Sequence, residues 1–224
     1  PLIYYNTTAF NQTLLVRIEN TTNTDCFAFT SFNIIVNTTP TANPVLDIAI
    51  CDDDNDGINS FDFVTDVTPT VLGTQDPQGF SVTYHPTQED ADQNTNAYGV
   101  PYSNVLTQES VFVRIENVNN VTCYDTTSFG VEVFDTPVIA ASNDLQSCDD
   151  GTDGDLTNGQ TETDLSALTA VVLGAQDALL FNVSYHLDTA DAEAGANPLP
   201  LIYYNTTAFN QTLLVRIENT TNTD

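Results

Sequence analysis

The sequence predicts an all-β chain of tandem immunoglobulin-like antiparallel β-sandwich modules, each of about 100 residues. Three observations predict it. Apolar residues alternate with polar ones, clusters of Asn, Asp, Gly and Pro break the runs, and whole segments recur at a domain-sized interval.

The alternation places Phe80, Val82 and Tyr84 on one strand face, with Ser81, Thr83 and His85 on the other. Phe32, Ile34 and Val36 repeat the pattern, as do Phe129, Val131 and Val133, and Leu213, Val215 and Ile217. Thr, Val, Ile, Tyr and Phe dominate these runs and suit a pleated, half-buried surface. The helical candidates are single turns, at Gln88 to Asn94 and at the corresponding Thr189 to Gly195.

The recurrence has two levels. Residues Pro1 to Asp25 return unchanged as Pro200 to Asp224, an offset of 199. Inside that period lies a diverged copy. Cys51-Asp-Asp resembles Cys148-Asp-Asp, Val71-Leu-Gly-Thr-Gln-Asp resembles Val172-Leu-Gly-Ala-Gln-Asp, and Val113-Arg-Ile-Glu-Asn resembles Val215-Arg-Ile-Glu-Asn. Units this large bury their own cores, so the expected architecture is a string of domains and not a solenoid. The expected boundaries are residues 1–41 for the C-terminal half of one module, 42–138 for a complete one, and 139–224 for one lacking its last strand. Pro-containing linkers follow Thr39 and Asp135. On this reading the chain covers one full period and a short overlap of a longer protein.

Each complete module owns a Cys before its acidic segment and another before its last strand, a usage that suits an oxidising compartment. First and last strands of such sandwiches both start near the N-terminal pole. That expectation pairs Cys51 with Cys123, in a bridge contributing about 4 kcal/mol, and leaves Cys26 and Cys148 to partners outside the chain. The rival scheme crosses the linker, joining Cys26 to Cys51 and Cys123 to Cys148. Buried free thiols are the third reading.

Thirty-one acidic residues face three basic ones, a net charge of -28. Such a surface repels nucleic acid and anionic membranes and attracts divalent cations. No run approaches the ~20 apolar residues that span a bilayer. The charge has a focus. Asp52, Asp54, Asp56 and Gly57 fit the D-x-[DN]-x-[DN]-G core of calcium loops, in which alternate carboxylates converge on one hard cation and the Gly allows the turn. Asp62 stands one place before the position of the usual bidentate acid. The second copy is eroded, with Asp149, Asp150, Asp153 and Asp155 as its candidate ligands, Gly151 in a ligand position, and four extra residues before Val172. Calcium is therefore the expected cofactor, against the plainer reading of a solvated acidic turn.

Nothing points to an enzyme. The two histidines, His85 and His186, are one position in two units, read as surface residues on the polar strand face. The basic residues Arg17, Arg114 and Arg216 all belong to the same V-R-I-E-N motif, where each can pair with the Glu two places on.

The units CDDDNDG, VLGTQDP, VTYHPTQEDADQNTNA, VFVRIEN and CYDTTSF resemble the repeats of giant Bacteroidota cell-surface proteins exported by type IX secretion, among them gliding-motility-associated adhesins of flavobacteria. The resemblance covers essentially the whole chain. It implies an extracellular, cell-surface location and a structural stalk or filament of an adhesin, with neighbouring repeats, and other copies in a filament, as its partners. It also implies glycosylation at Thr126 and Thr189, which follow Asp in the context that phylum modifies. Two alternatives stand beside the stalk: modules that themselves bind polysaccharide through Tyr4, Tyr5, Tyr98 and Tyr102, and a polymer built by strand donation between chains. An end-to-end stalk would rise about 40 Å per module, or about 80 Å per period.

Overall fold

A computed structural model describes residues 3–140 and 142–221. The chain is predominantly β, in tandem sandwich modules, as the alternation predicts. It divides into two compact units, Pro1–Ile48 with Asn59–Glu132, and Ala49–Ile58 with Val133–Asp224.

The first repeat contributes a hairpin. β1 (Asn11–Glu19) runs antiparallel to β2 (Phe27–Ile35), in register from Asn11 opposite Ile35 to Glu19 opposite Phe27.

The middle repeat builds a four-stranded sheet from β3 (Ile48–Asp52), β5 (Phe80–His85), β7 (Gln108–Asn117) and β8 (Asn120–Asp135), in the order β3-β8-β7-β5. β5 and β8 both run antiparallel to β7. β3 runs parallel to β8, because hydrogen-bonded partners rise together along the two segments. The Ala42 amide donates to Asp125, the Gly130 amide to Asp47, and Asn55 pairs with Thr136.

A second layer covers the sheet. It holds the short pair β4 (Ser60–Phe61) and β6 (Tyr102–Ser103), and the helices α1 (Phe63–Asp66) and α2 (Thr68–Leu72). Phe63 is the centre of the core, its ring 5.0 Å from Tyr84, 5.6 Å from Tyr102 and 5.4 Å from Phe129. Val111, Val113, Ile115 and Val131 pack beneath it, fully buried. Between β5 and β6, α3 (Gln88–Gln93) is the helical turn expected from sequence, capped by Thr87 and closed by Asn94 in the left-handed region.

The third repeat follows the same plan. β9 (Glu162–Asp164) pairs with β11 (Ile202–Tyr204), and β10 (Phe181–His186) with β12 (Leu214–Asn219). α4 (Ser166–Leu173) takes the place of α1 and α2, and α5 (Thr189–Ala194) that of α3. Its core joins Leu165, Val172, Leu173, Phe181, Tyr185, Tyr203 and Ile217.

Three expectations need correction. The region after each acidic segment is helical. Asp62 as N-cap, Pro69 in the first turn and Gly73 at the C-cap are start and stop signals that strand periodicity obscures. The histidines are buried, and not on the surface. His85 sits between the Thr95 carbonyl at 2.7 Å and the Thr83 hydroxyl at 2.9 Å, and His186 between Ala196 and Ser184 at 2.8 Å each. A carbonyl only accepts, so Nδ1 carries the proton in both, and each ring ties its strand to the loop after the helical turn.

The third correction concerns Cys51 and Cys123. The first and last strands do start at the same pole, but Cys51 stands at the end of its strand and Cys123 near the start of its own. Cys51 follows Asp47, which meets Gly130, whereas Cys123 precedes Gly130 by seven residues. With parallel strands the two diverge to about 36 Å at ~3.3 Å per residue. A disulfide needs about 5.5 Å between Cα atoms. The expected bridge does not form, and Cys123 carries a free thiol.

Candidate functional site: the acidic loop and the joint

Three side chains dock the first linker onto the repeat that follows. Gln75 accepts from the Thr41 amide (2.8 Å) and donates to its carbonyl (2.7 Å). Asn117 donates to the Thr38 carbonyl at 2.9 Å, and Asn43 to the Val71 carbonyl at 2.9 Å. In the next joint Gln176 makes the same two bonds with Val138, and Asn219 reaches the Asp135 carbonyl. This docking accounts for the V-L-G-x-Q-D motif. Gly73 has φ +57°, and a Cβ there would lie 2.7 Å from the Asn43 amide. Gln75 stands two residues on, at the linker.

The acidic loop holds the other side of the joint. Asn55, at φ 58°, both donates to the Thr136 carbonyl (3.0 Å) and accepts from its amide (2.7 Å). Its side chain thereby imitates a strand partner for the exit linker. The loop, Thr136, Val138 and Gln176 all belong to one compact unit.

Within the loop, Asp52 is 1% exposed and accepts from the Gly57 amide at 2.6 Å and the Asp54 amide at 3.2 Å. Burial raises its pKa, but these amides outweigh it and hold the carboxyl below its ordinary value. Asp54 is pushed up, chiefly by repulsion from Asp56. Oxygens of Asp52, Asp53 and Asp54 lie within 4.8 Å of one another, a spacing that suits one hard cation. All three arginines are engaged with their own glutamates, and among the described residues no ion pair reaches this cluster.

The structure therefore regroups the expected ligands. Asp53, one of three consecutive aspartates, joins Asp52 and Asp54. Asp56 turns to the Ile58 amide at 2.8 Å. Asp62 lies outside the loop and caps α1 through Thr65, whose hydroxyl and amide lower its pKa.

In the second loop, Asp149 accepts from the Gly159 amide as Asp52 does from Gly57, but across ten residues instead of five. The extra residues occupy the other carboxylates. Asp150 binds Thr152 and Thr161, which lower its pKa to about 2, with the Thr152 hydroxyl as the leading cause. Asp153 accepts from the Asp155 amide, from Asn158 and from the Tyr204 hydroxyl, and Asp155 accepts from Thr157. Asp149 Oδ1 is buried without a hydrogen bond. Among the described residues this loop gathers no cluster like that of Asp52, Asp53 and Asp54.

The remaining candidates are dispersed. Thr126 is half-buried in β8 beside Gln88, 3.1 Å away, whereas Thr189 is exposed at the start of α5. Tyr102 is a core residue whose hydroxyl donates to Glu109, and its ring lies 4.0 Å from Tyr98. Tyr4 and Tyr5 are exposed. No helix of the described residues is long and apolar enough to cross a membrane.

The sequence profile of a family described as the Flavobacterium inter-domain disulphide bond domain matches three segments, residues 1–40, 47–137 and 144–224. Comparison with curated proteins and with solved structures returns no match.

Proposed function

The chain belongs to the Flavobacterium inter-domain disulphide bond domain family, and from that premise we propose that it is a structural stalk or filament segment of a large cell-surface adhesin. Its repeats extend a distal binding region, and its joints are stiffened by disulphides and calcium. It acts outside the cell, after type IX secretion, and catalyses nothing. The observation that carries this reading is the double hold on the linker. Asn55 grips Thr136 from one repeat, and Gln176 grips Val138 from the next. A chain whose task is reach needs stiff joints, whereas an enzyme or an independent binding module does not.

Calcium enters through the same contact. Asp52, Asp53 and Asp54 would hold the ion immediately before Asn55, so that ordering the loop also orders its grip on Thr136. The ion would supply charge neutralisation only. Calorimetric titration with calcium chloride should give one binding event per intact loop, and a melting temperature that falls on chelation. Asp52→Asn with Asp54→Asn should remove both effects. No heat and no change on chelation would remove calcium from the proposal. The stalk reading is tested separately, by imaging the longer repeat protein. A rise of about 80 Å per period is expected, and compact or branched particles would overturn it.

A further inference from the structure

We propose that the β1–β2 hairpin of one copy of this chain seats on the third repeat of a second copy, in place of that copy's own residues 200–219. The hairpin already has the arrangement of β7 and β8 in the middle repeat. Arg17 lies opposite Phe29 as Arg114 lies opposite Thr126, and Leu14 opposite Phe32 as Val111 lies opposite Phe129. Arg17 stacks over the Phe27 ring at 4.1 Å, as Arg114 does over Tyr124 at 3.8 Å. What differs is cover. Phe32 is 51% exposed, whereas Phe129 is 3% exposed. Val16, Ile18 and Val36 are also exposed, and their counterparts Val113, Ile115 and Val133 are buried. The hairpin is a preformed piece of sheet with an open apolar face.

Identity of sequence names the occupant. Residues 1–20 and 200–219 are the same, and the third repeat shows what that sequence covers. There Tyr203 lies opposite Thr163 and packs with Leu165 and Tyr185, while Ile217 lies opposite Val183 and packs with Val172 and Leu173. Both are buried, whereas Tyr4 and Ile18, the same side chains in the first copy, are exposed. The third repeat also offers a matching gap. β12 pairs with β10 along one edge, and among the described residues no strand pairs with its other edge, the edge on which its counterpart β7 carries β8. An incoming hairpin can remake the contacts of the segment it displaces, and it adds β2 along that edge.

Exchange of one identical segment for another is nearly even in free energy. The net gain is what β2 brings. Phe32, Ile34 and Val36 enter positions that Phe129, Val131 and Val133 fill in the middle repeat, and their apolar surface leaves water. Donor and acceptor are different surfaces, so every copy offers one of each and association runs head to tail from copy to copy. Dilution favours the separate chains, in which Ile18 stays exposed. The inference goes beyond the stalk reading, and its failure would leave the calcium titration and the measured rise untouched.

The test refolds the 224-residue chain from urea over a wide range of concentration, so that β12 can exchange, and follows its mass by sedimentation in reductant. The average mass should rise with concentration from one chain to several. Ile18→Asp with Phe32→Asp, both at exposed positions, should hold it at one chain throughout. A chain that stays single at every concentration overturns the proposal, and so do oligomers that survive the double substitution. A second measurement locates the seat. Asn182 lies opposite Glu218, the counterpart of Glu19, so a seated hairpin brings Glu19 to Asn182 of the other copy. Glu19→Cys with Asn182→Cys, in a chain whose four native cysteines are replaced by serine, is oxidised and mapped by peptide mass. Positions 19 and 182 should be joined in species of two or more chains. Position 19 joined only to position 19 would mean that hairpins stack on each other, and would overturn the seat on the third repeat.

Discussion

The segments 1–25 and 200–224 share one sequence and differ in what they bury. Their local turns agree closely. Phe10 and Phe209 both have φ 63°. Gln12 accepts from the Thr7 amide at 2.8 Å, and Gln211 from the Thr206 amide at the same distance. Asn20 and Asn219 each accept from the amide and hydroxyl of the Thr two places on. The tertiary surroundings disagree. Ile18 is 71% exposed, whereas Ile217 is 8% exposed in the core formed with Val172, Leu173 and Phe181. Sequence within the segment sets the turns, while residues far away in the chain determine whether its strand becomes core.

The arginines carry the comparison furthest, since the middle repeat supplies a third and more enclosed copy. Arg17, Arg216 and Arg114 each pair with the Glu two places on, with side chains 52%, 21% and 4% exposed in that order. Arg114 also donates to the Ala91 and Asp92 carbonyls at the end of α3 and to Val121, and lies 3.8 Å over the Tyr124 ring. It is the C-terminal cap of a helical turn that has no basic residue of its own. Arg114→Met leaves Glu116 buried with only the Asn94 amide as a donor and takes a charged donor from those carbonyls, and should cost about 3–5 kcal/mol in chemical denaturation. Arg17→Met should cost about 0–1 kcal/mol, and Arg216→Met should fall between them. Equal costs for all three would show that the motif acts through local pairing alone.

The isoleucines isolate packing from charge. Ile217→Ala removes side-chain volume from a filled core and should cost about 2–4 kcal/mol. Ile18→Ala acts on an exposed strand and should stay within about 0.5 kcal/mol. A large cost at Ile18 would mean that the first hairpin has a packing partner that the second copy lacks.

Those environments explain what could be read without a structure. Strand faces were legible because Phe80, Val82 and Tyr84 alternate, and the domain scale because long segments recur. The single turn at Gln88–Gln93 was legible from its register with Thr189–Ala194. Burial of His85 was not, because it depends on the Thr95 carbonyl folding back over a strand face that reads as polar. The pairing of Arg114 with Glu116 was legible but its burial was not, since the further acceptors of Arg114 lie on α3 and at Val121. Cys51 with Cys123 failed on direction. Alternation specifies faces but not which end of a strand meets which end of its neighbour. At the acidic loop the spacing of Asp52, Asp54 and Asp56 drew attention to the segment in which Asp52, Asp53 and Asp54 lie together. It did not show that Asp56 accepts from the Ile58 amide and that Asp62 caps α1, because backbone amides and a helix start compete for carboxylates and leave no trace in spacing.

The smallest expected effect tests the local half of the comparison. Gln12 and Gln211 share a pair of bonds, accepting from a threonine amide and donating to that threonine's hydroxyl, at 2.8 and 2.9 Å in one copy and 2.8 and 3.0 Å in the other, and Gln211 also accepts from the Thr207 amide at 3.3 Å. Gln211 alone also accepts from a half-buried tyrosine hydroxyl, that of Tyr203, at 3.2 Å. Alanine at either position should cost about 0.5–1.5 kcal/mol. Gln211→Ala should cost slightly more, because the Tyr203 hydroxyl then loses an acceptor, leaving only a weak contact with Thr206 at 3.5 Å. Hydrogen exchange at the Thr7 and Thr206 amides reads the result residue by residue. Similar protection in both copies, lost to a similar degree in both variants, means that these turns form before the core is built and present the strand to it. Protection confined to Thr206 would make the turn itself a product of packing, and the agreement between the two copies would then need another cause.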